Sequence, residues 1–96
     1  MKTPPKDPSM ALYEQIIKLQ DVDSCYRFFQ DLCSITELRA MEQRFDVAKL
    51  LYDGKVYTEI VEATRASSAT ISRVNRALRY GDNGLMDAFD RESGAG

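Results

Sequence analysis

The chain has no histidine among its 96 residues. That removes the side chain that most often moves protons near neutral pH and the commonest nitrogen ligand of metals. Only two cysteines are present, Cys25 and Cys33. In a helix their spacing amounts to about 12 Å of rise, beyond the reach of a disulfide. Two distant thiols without an imidazole do not make a zinc site. Both lie in an apolar stripe and are expected to be buried, reduced thiols of a cytoplasmic protein. The glycines form no phosphate-cradling loop, and no cysteine stands where a neighbour would activate it. General acid–base and nucleophilic catalysis lack their residues, so no enzyme and no cofactor are expected. Long apolar runs are missing as well. The N-terminal MKTPPKDPSM contains none, and no segment approaches the length of a membrane span.

All three prolines fall within residues 1–8, which show no periodicity and are expected to be a disordered arm. Residues 9–91 are expected to form a single helical domain, and residues 92–96 a disordered tail. A chain of this size buries a modest core, and many such folds gain stability by dimerising. Ser9 can cap a helix through about Leu19, with Leu12, Ile16 and Leu19 on one face. Asp23 or Ser24 can cap a second helix with the stripe Cys25, Phe28, Phe29, Leu32 and Cys33. Ser34-Ile35-Thr36-Glu37 has the form of a capping box and opens a long helix to about Tyr52. Leu38, Met41, Phe45, Ala48, Leu51 and Tyr52 make its stripe, which Val47 and Leu50 widen. A stripe this wide over the last two turns requires cover on two sides, and a second subunit would supply it. Asp53-Gly54 is the stop signal. Leu85, Met86 and Phe89 can form a short last helix. The pattern is all-α, with about six helices and short connections.

The charge is unevenly placed. The net charge is −2, yet from Lys55 to Tyr80 five basic residues face two acidic ones. From Gly81 onward four acidic residues face Arg91 alone. The basic segment, YTEIVEATRASSATISRVNRALRY, reads as a helix-turn-helix over residues 57–79. Ile60, Val61 and Ala63 can face inward on its first helix, and Ser67 or Ser68 can cap its second. Ile71, Val74 and Leu78 recur at three- and four-residue steps and make an apolar stripe. The other faces carry Ser68, Ala69, Thr70, Ser72, Arg73, Asn75, Arg76 and Arg79. Short side chains let a helix approach the floor of a major groove, and arginines reach guanine edges or phosphates.

Ala66-Ser67-Ser68-Ala69-Thr70-Ile71-Ser72-Arg73 resembles the reading head of the Trp repressor family. The LLYDG segment and the ITEL helix start are similar to that family too, and the wider pattern resembles its YerC/YecD-type branch. The resemblance implies a six-helix subunit in an intertwined homodimer. It also implies double-stranded DNA as the partner, with two recognition helices in successive major grooves. By that likeness Thr58, Ser67, Ser68, Ala69, Thr70, Ser72, Arg73 and Arg76 are the expected DNA-binding residues. Ser68, Ala69 and Ser72 would lie towards base edges, Thr58 would contact the backbone, and Arg73 and Arg76 would grip phosphate.

The resemblance also implies an effector pocket. Arg44 and Arg73 correspond to the two arginines that sandwich bound tryptophan, and Ser34 to a threonine near the ligand. Two departures argue against tryptophan. The family's pocket glycine is Val74 here, and the serine that holds the ligand's amino group is Ala77. Val74 is expected to fill the hole and to hold the reading head in place without a corepressor. Arg44 is then free to pair with Glu37, Glu42 or a residue of the partner. A third departure is Arg65, at a turn position that takes positive φ and usually holds glycine; an arginine there costs roughly 1 kcal/mol. The function these features imply is a homodimeric, sequence-specific DNA-binding regulator, a repressor not gated by tryptophan. The competing class is a protein-interaction module that uses the helix-turn-helix as a scaffold.

Overall fold

The computed structural model describes residues 7–94. Six helices account for most of them: α1 (Met10–Ile16), α2 (Val22–Leu32), α3 (Ile35–Tyr52), α4 (Tyr57–Thr64), α5 (Ser68–Tyr80) and α6 (Gly84–Ser93). There is no strand among the described residues. The chain divides into two compact units, one ending at Ile35 and one beginning at Thr36.

The first unit holds α1 and α2. The α1 helix is shorter than its periodicity predicts, and the chain leaves it through backbone bonds from Lys18 to Gln15 and from Leu19 to Ile16. The cap of α2 is Asp21, not Asp23 or Ser24. Its Oδ1 accepts from the Ser24 backbone N–H at 2.7 Å, and its Oδ2 from the Ser24 hydroxyl at 3.0 Å. Asp23 lies in the first turn and pairs with Arg27, one turn on, at 3.0 Å. Phe28 and Phe29 meet edge to face, with ring centroids 5.5 Å apart. No residue of α1 or α2 is buried. The thiols of Cys25 and Cys33 are free, and both residues are half-exposed rather than buried as expected. Cys33 lies just past the helix, in extended backbone.

The second unit carries the core. Val47, Ala48 and Leu51 of α3 pack with Ile60 of α4, Ala66 of the turn, Ile71, Val74 and Leu78 of α5, and Phe89 of α6. The apolar stripes of α3 and α5 meet here for the reason their spacing gives. The last two turns of α3 therefore find their cover within the chain, and need no second subunit at Val47, Ala48 and Leu51. The large apolar residues of α3 that stay exposed lie earlier, at Ile35, Met41 and Phe45. The α3 helix ends where the sequence signals: Gly54, at φ 85°, donates to the Leu51 carbonyl, and Lys55 donates to that of Leu50. These two bonds form a Schellman motif, which a positive φ at glycine allows. The α6 helix runs to Ser93, two residues past the expected boundary of the domain. Its attachment to α3 is polar at the rim: Tyr52 donates to Asp90 at 2.6 Å, and Lys49 bonds Glu92 at 3.1 Å. Phe89 is buried beneath them, with the rings of Phe45 and Tyr52 at 5.6 and 5.3 Å.

Candidate nucleic-acid interface

The turn between α4 and α5 is where the site is built. Thr64, the last residue of α4, uses its hydroxyl twice: it donates to the Ile60 carbonyl at 2.8 Å and accepts from the Ala66 N–H at 3.2 Å. Arg65 follows with φ 62° and ψ 16°, the left-handed conformation that its position predicts. Its N–H closes the helix on the Val61 carbonyl at 2.8 Å. Ala66 turns its methyl into the core and is 3% exposed. From α3, the Gln43 amide donates to the Thr64 carbonyl at 3.0 Å and satisfies an acceptor left over at the helix end. Sequence reasoning missed Gln43 because nothing in a single exposed-looking glutamine points to a carbonyl 21 residues away. Thr64 was findable, as a hydroxyl immediately before a turn.

Ser67, rather than Ser68, caps α5. Its Oγ accepts from the Thr70 N–H at 3.1 Å and donates to the Thr70 hydroxyl at 3.0 Å. Ser67 and Thr70 thus hold the start of the helix. At the start of α4 the cap position falls to Val56, whose N–H donates to Glu59 at 3.2 Å. Valine has no oxygen to give in return, so this is half of a capping box. Tyr57 and Thr58 lie in the first turn and not at the cap.

With Ile71, Val74 and Leu78 buried, the opposite side of α5 is fixed. Ser68, Ala69, Ser72, Arg73 and Arg76 are exposed on it, and Thr70 is half-buried. Ala69, Ser72, Arg73 and Arg76 follow the three- and four-residue steps of one helical face. No carboxylate comes within ion-pair distance of Arg65, Arg73 or Arg76 among the described residues. Elsewhere three basic residues are engaged: Arg27 with Asp23, Arg39 with Glu42, and Lys49 with Asp53 and Glu92. Arg79 donates to the Asn75 side chain at 3.3 Å.

A half-open cleft of about 390 Å³ lies beside α5, lined by Met41, Arg44, Phe45, Arg73, Val74, Ala77 and Leu85. It brings together Arg44, Arg73, Val74 and Ala77 from the expected effector pocket and does not include Ser34. Val74 is buried in the core and lines this space without closing it, so its side chain does not fill the hole as expected. Arg44 bonds neither Glu37 nor Glu42. Arg39 takes Glu42 instead, with Nη1 at 2.6 and 2.7 Å from the two carboxylate oxygens. The cleft thus offers two guanidinium groups over an apolar lining, and no side chain in that lining carries an acceptor oxygen.

The family model described as Trp repressor protein matches residues 9–93. The chain belongs to the Trp repressor family. It is 48% identical over 80 residues to the uncharacterized protein YerC of Bacillus subtilis (strain 168), a match that covers 83% of this chain and 77% of YerC. A TrpR-like protein from Eubacterium eligens superposes with a TM-score of 0.83 at 46% identity, over 88% of this chain and 87% of that one. A protein from Staphylococcus aureus described as a candidate Trp repressor superposes at 0.82 with 38% identity, over 88% of this chain and 84% of its own. Members of this family are DNA-binding regulators rather than enzymes, which agrees with the all-α fold and the unpaired arginines of α5. No described helix is long and apolar enough to cross a membrane.

Proposed function

We propose that this chain is a homodimeric, sequence-specific repressor that reads DNA through α5 and does not use tryptophan as its switch. The observation that carries the reading is the outer face of α5. Small side chains at Ser68, Ala69 and Ser72 leave room for base edges, and Arg73 and Arg76 are exposed without protein partners. Ala69 suits a thymine methyl, Ser72 and Thr70 suit base or phosphate oxygens, and the arginines suit phosphate. Ser67 holds the helix start, and Thr58 stands in the first turn of α4, where a backbone contact is expected. The homodimer is supported by α2, whose apolar stripe has no buried residue in its own chain. Residues 9–91 then act as one helical domain per subunit.

Selection of bound sequences from a random DNA pool tests this reading. A two-fold symmetric consensus is expected, bound with an affinity that falls steeply as salt rises. The double substitution Arg73→Ala/Arg76→Ala should weaken binding by about 100-fold or more while leaving the thermal midpoint in place. No enrichment at low salt would overturn the reading in favour of a protein-interaction module.

The case against tryptophan rests on the cleft. Its volume of about 390 Å³ falls within the range of small-molecule sites, so space is not the obstacle. The obstacle is chemical. Arg44 and Arg73 suit a carboxylate, but Ala77 offers nothing to an ammonium group. Isothermal titration with L-tryptophan is expected to show no micromolar binding.

A further inference from the structure

Four described residues hold a positive φ: Gly54, Gly94, Asn83 and Arg65. Three are of kinds that adopt the left-handed conformation at little cost, two glycines and an asparagine. Arg65 is the exception, and its surroundings within the chain do not repay it. The residue is exposed. Glu62, one turn earlier, forms no ion pair with it, nor does any other described carboxylate. The negative end of the α4 dipole favours a cation, but a lysine or arginine in the relaxed backbone one turn earlier would meet the same field. What is particular to this position is its place. Ser67 caps the reading helix two residues later, and the N-terminal turn of such a helix is the part that enters a groove. A long, always-charged side chain beside that turn stands next to the phosphates that border the groove.

We propose that Arg65 is a phosphate-binding residue of the DNA interface, held in a left-handed conformation that glycine would adopt more easily. It adds a third cation to those of Arg73 and Arg76, on the near side of the turn. This inference rests on the DNA-binding reading above, and the test separates the two. The full-length protein is titrated onto its selected DNA fragment from low to physiological salt, as wild type and as Arg65→Gly, Arg65→Asn and Arg65→Lys. Glycine and asparagine both suit the turn and both lack the charge. The glycine variant should melt at a higher temperature than wild type. Both uncharged variants should bind several-fold more weakly, about 3- to 10-fold, with a log–log salt slope shallower by about 0.9 for each phosphate that is no longer neutralised. Lysine should restore the slope. An unchanged slope in the uncharged variants overturns the proposal, whether affinity stays the same or falls, since a fall without a slope change would report the turn's shape. If wild type itself shows no salt-dependent binding, the DNA reading fails and this one with it.

Discussion

Helices α2 and α5 have similar sequences in outline and behave differently in the folded chain. Each is strongly amphipathic, each is eleven to thirteen residues long, and each is capped by a side-chain oxygen at its N-terminus. The α5 stripe is covered: Ile71 and Leu78 are almost fully buried and Val74 is 4% exposed. The α2 stripe is not, and Leu32 stands 55% exposed at its end. An amphipathic helix with a covered stripe displays its polar face, and that face is the one proposed above to meet DNA. An amphipathic helix with an open stripe displays part of its apolar face, and water is a poor partner for an exposed leucine beside two half-buried phenylalanines. Periodicity therefore tells that a face will be covered, and only the fold tells by what.

Four substitutions break or sharpen this contrast. The largest effect is expected from Phe28→Asp. A carboxylate on the open stripe of α2 would have to be buried on assembly, so the dissociation constant of the proposed dimer should rise about a thousandfold, or ~4 kcal/mol. Sedimentation should show monomer, and a dimer that survives would mean that α2 is not in the seam. Next comes Ile71→Ala, which opens a hole in a core already closed within the subunit. It should lower the unfolding free energy by about 2–5 kcal/mol in a chemical denaturation series, with the monomer–dimer balance unchanged. The caps give smaller effects. Ser67→Ala should cost about 1 kcal/mol by removing the bond to the Thr70 N–H, and it should loosen the first turn of the reading helix in amide-exchange measurements.

The smallest effect is a pH dependence confined to α2. Hydrogen bonds from the Ser24 backbone N–H and then the Ser24 hydroxyl hold the Asp21 carboxyl below the usual carboxylate range. A group whose folded pKa is depressed stabilises the fold fully above the unfolded value, near ~3.9 for aspartate, and that contribution is lost as pH falls through the lower folded value. Acid titration followed by circular dichroism should show α2 losing this contribution below about pH 4. Asp21→Asn should flatten the dependence. No such response is expected from Ser67, which has no charge to lose.

Much of this is legible in the sequence. The six helices, the stop at Gly54 and the inward stripe of α5 all follow from local chemistry, and local chemistry is what a sequence displays most directly; the left-handed Arg65 follows only from the turn position that the family resemblance gives it. The cap of α2 is not so easily read, because Asp21, Asp23 and Ser24 are all good cap residues within four positions, and the choice depends on which backbone is extended. The second cover of α3 points to a partner in one dimension because nothing in the sequence tells that α5 and α6 both lie against its last turns. Arg44 looks ready to pair with a carboxylate, but Arg39 reaches Glu42 along the same helix instead. In the cleft, Arg44, Arg73, Val74 and Ala77 are identifiable by resemblance. Met41, Phe45 and Leu85 are not, since each looks like ordinary core in a one-dimensional pattern.

The hydrogen bond from Gln43 to the Thr64 carbonyl has a mechanical consequence. It fastens the bend of the reading head to the side of the long helix, at a point where water would otherwise hold the carbonyl. With Ile60, Ala66 and Ile71 packed behind it, the bend has little freedom to pivot by itself. The long helix becomes the handle of the head, and in the proposed dimer the pitch at which two such heads would meet a duplex would be set by how two handles are held together, far from any base.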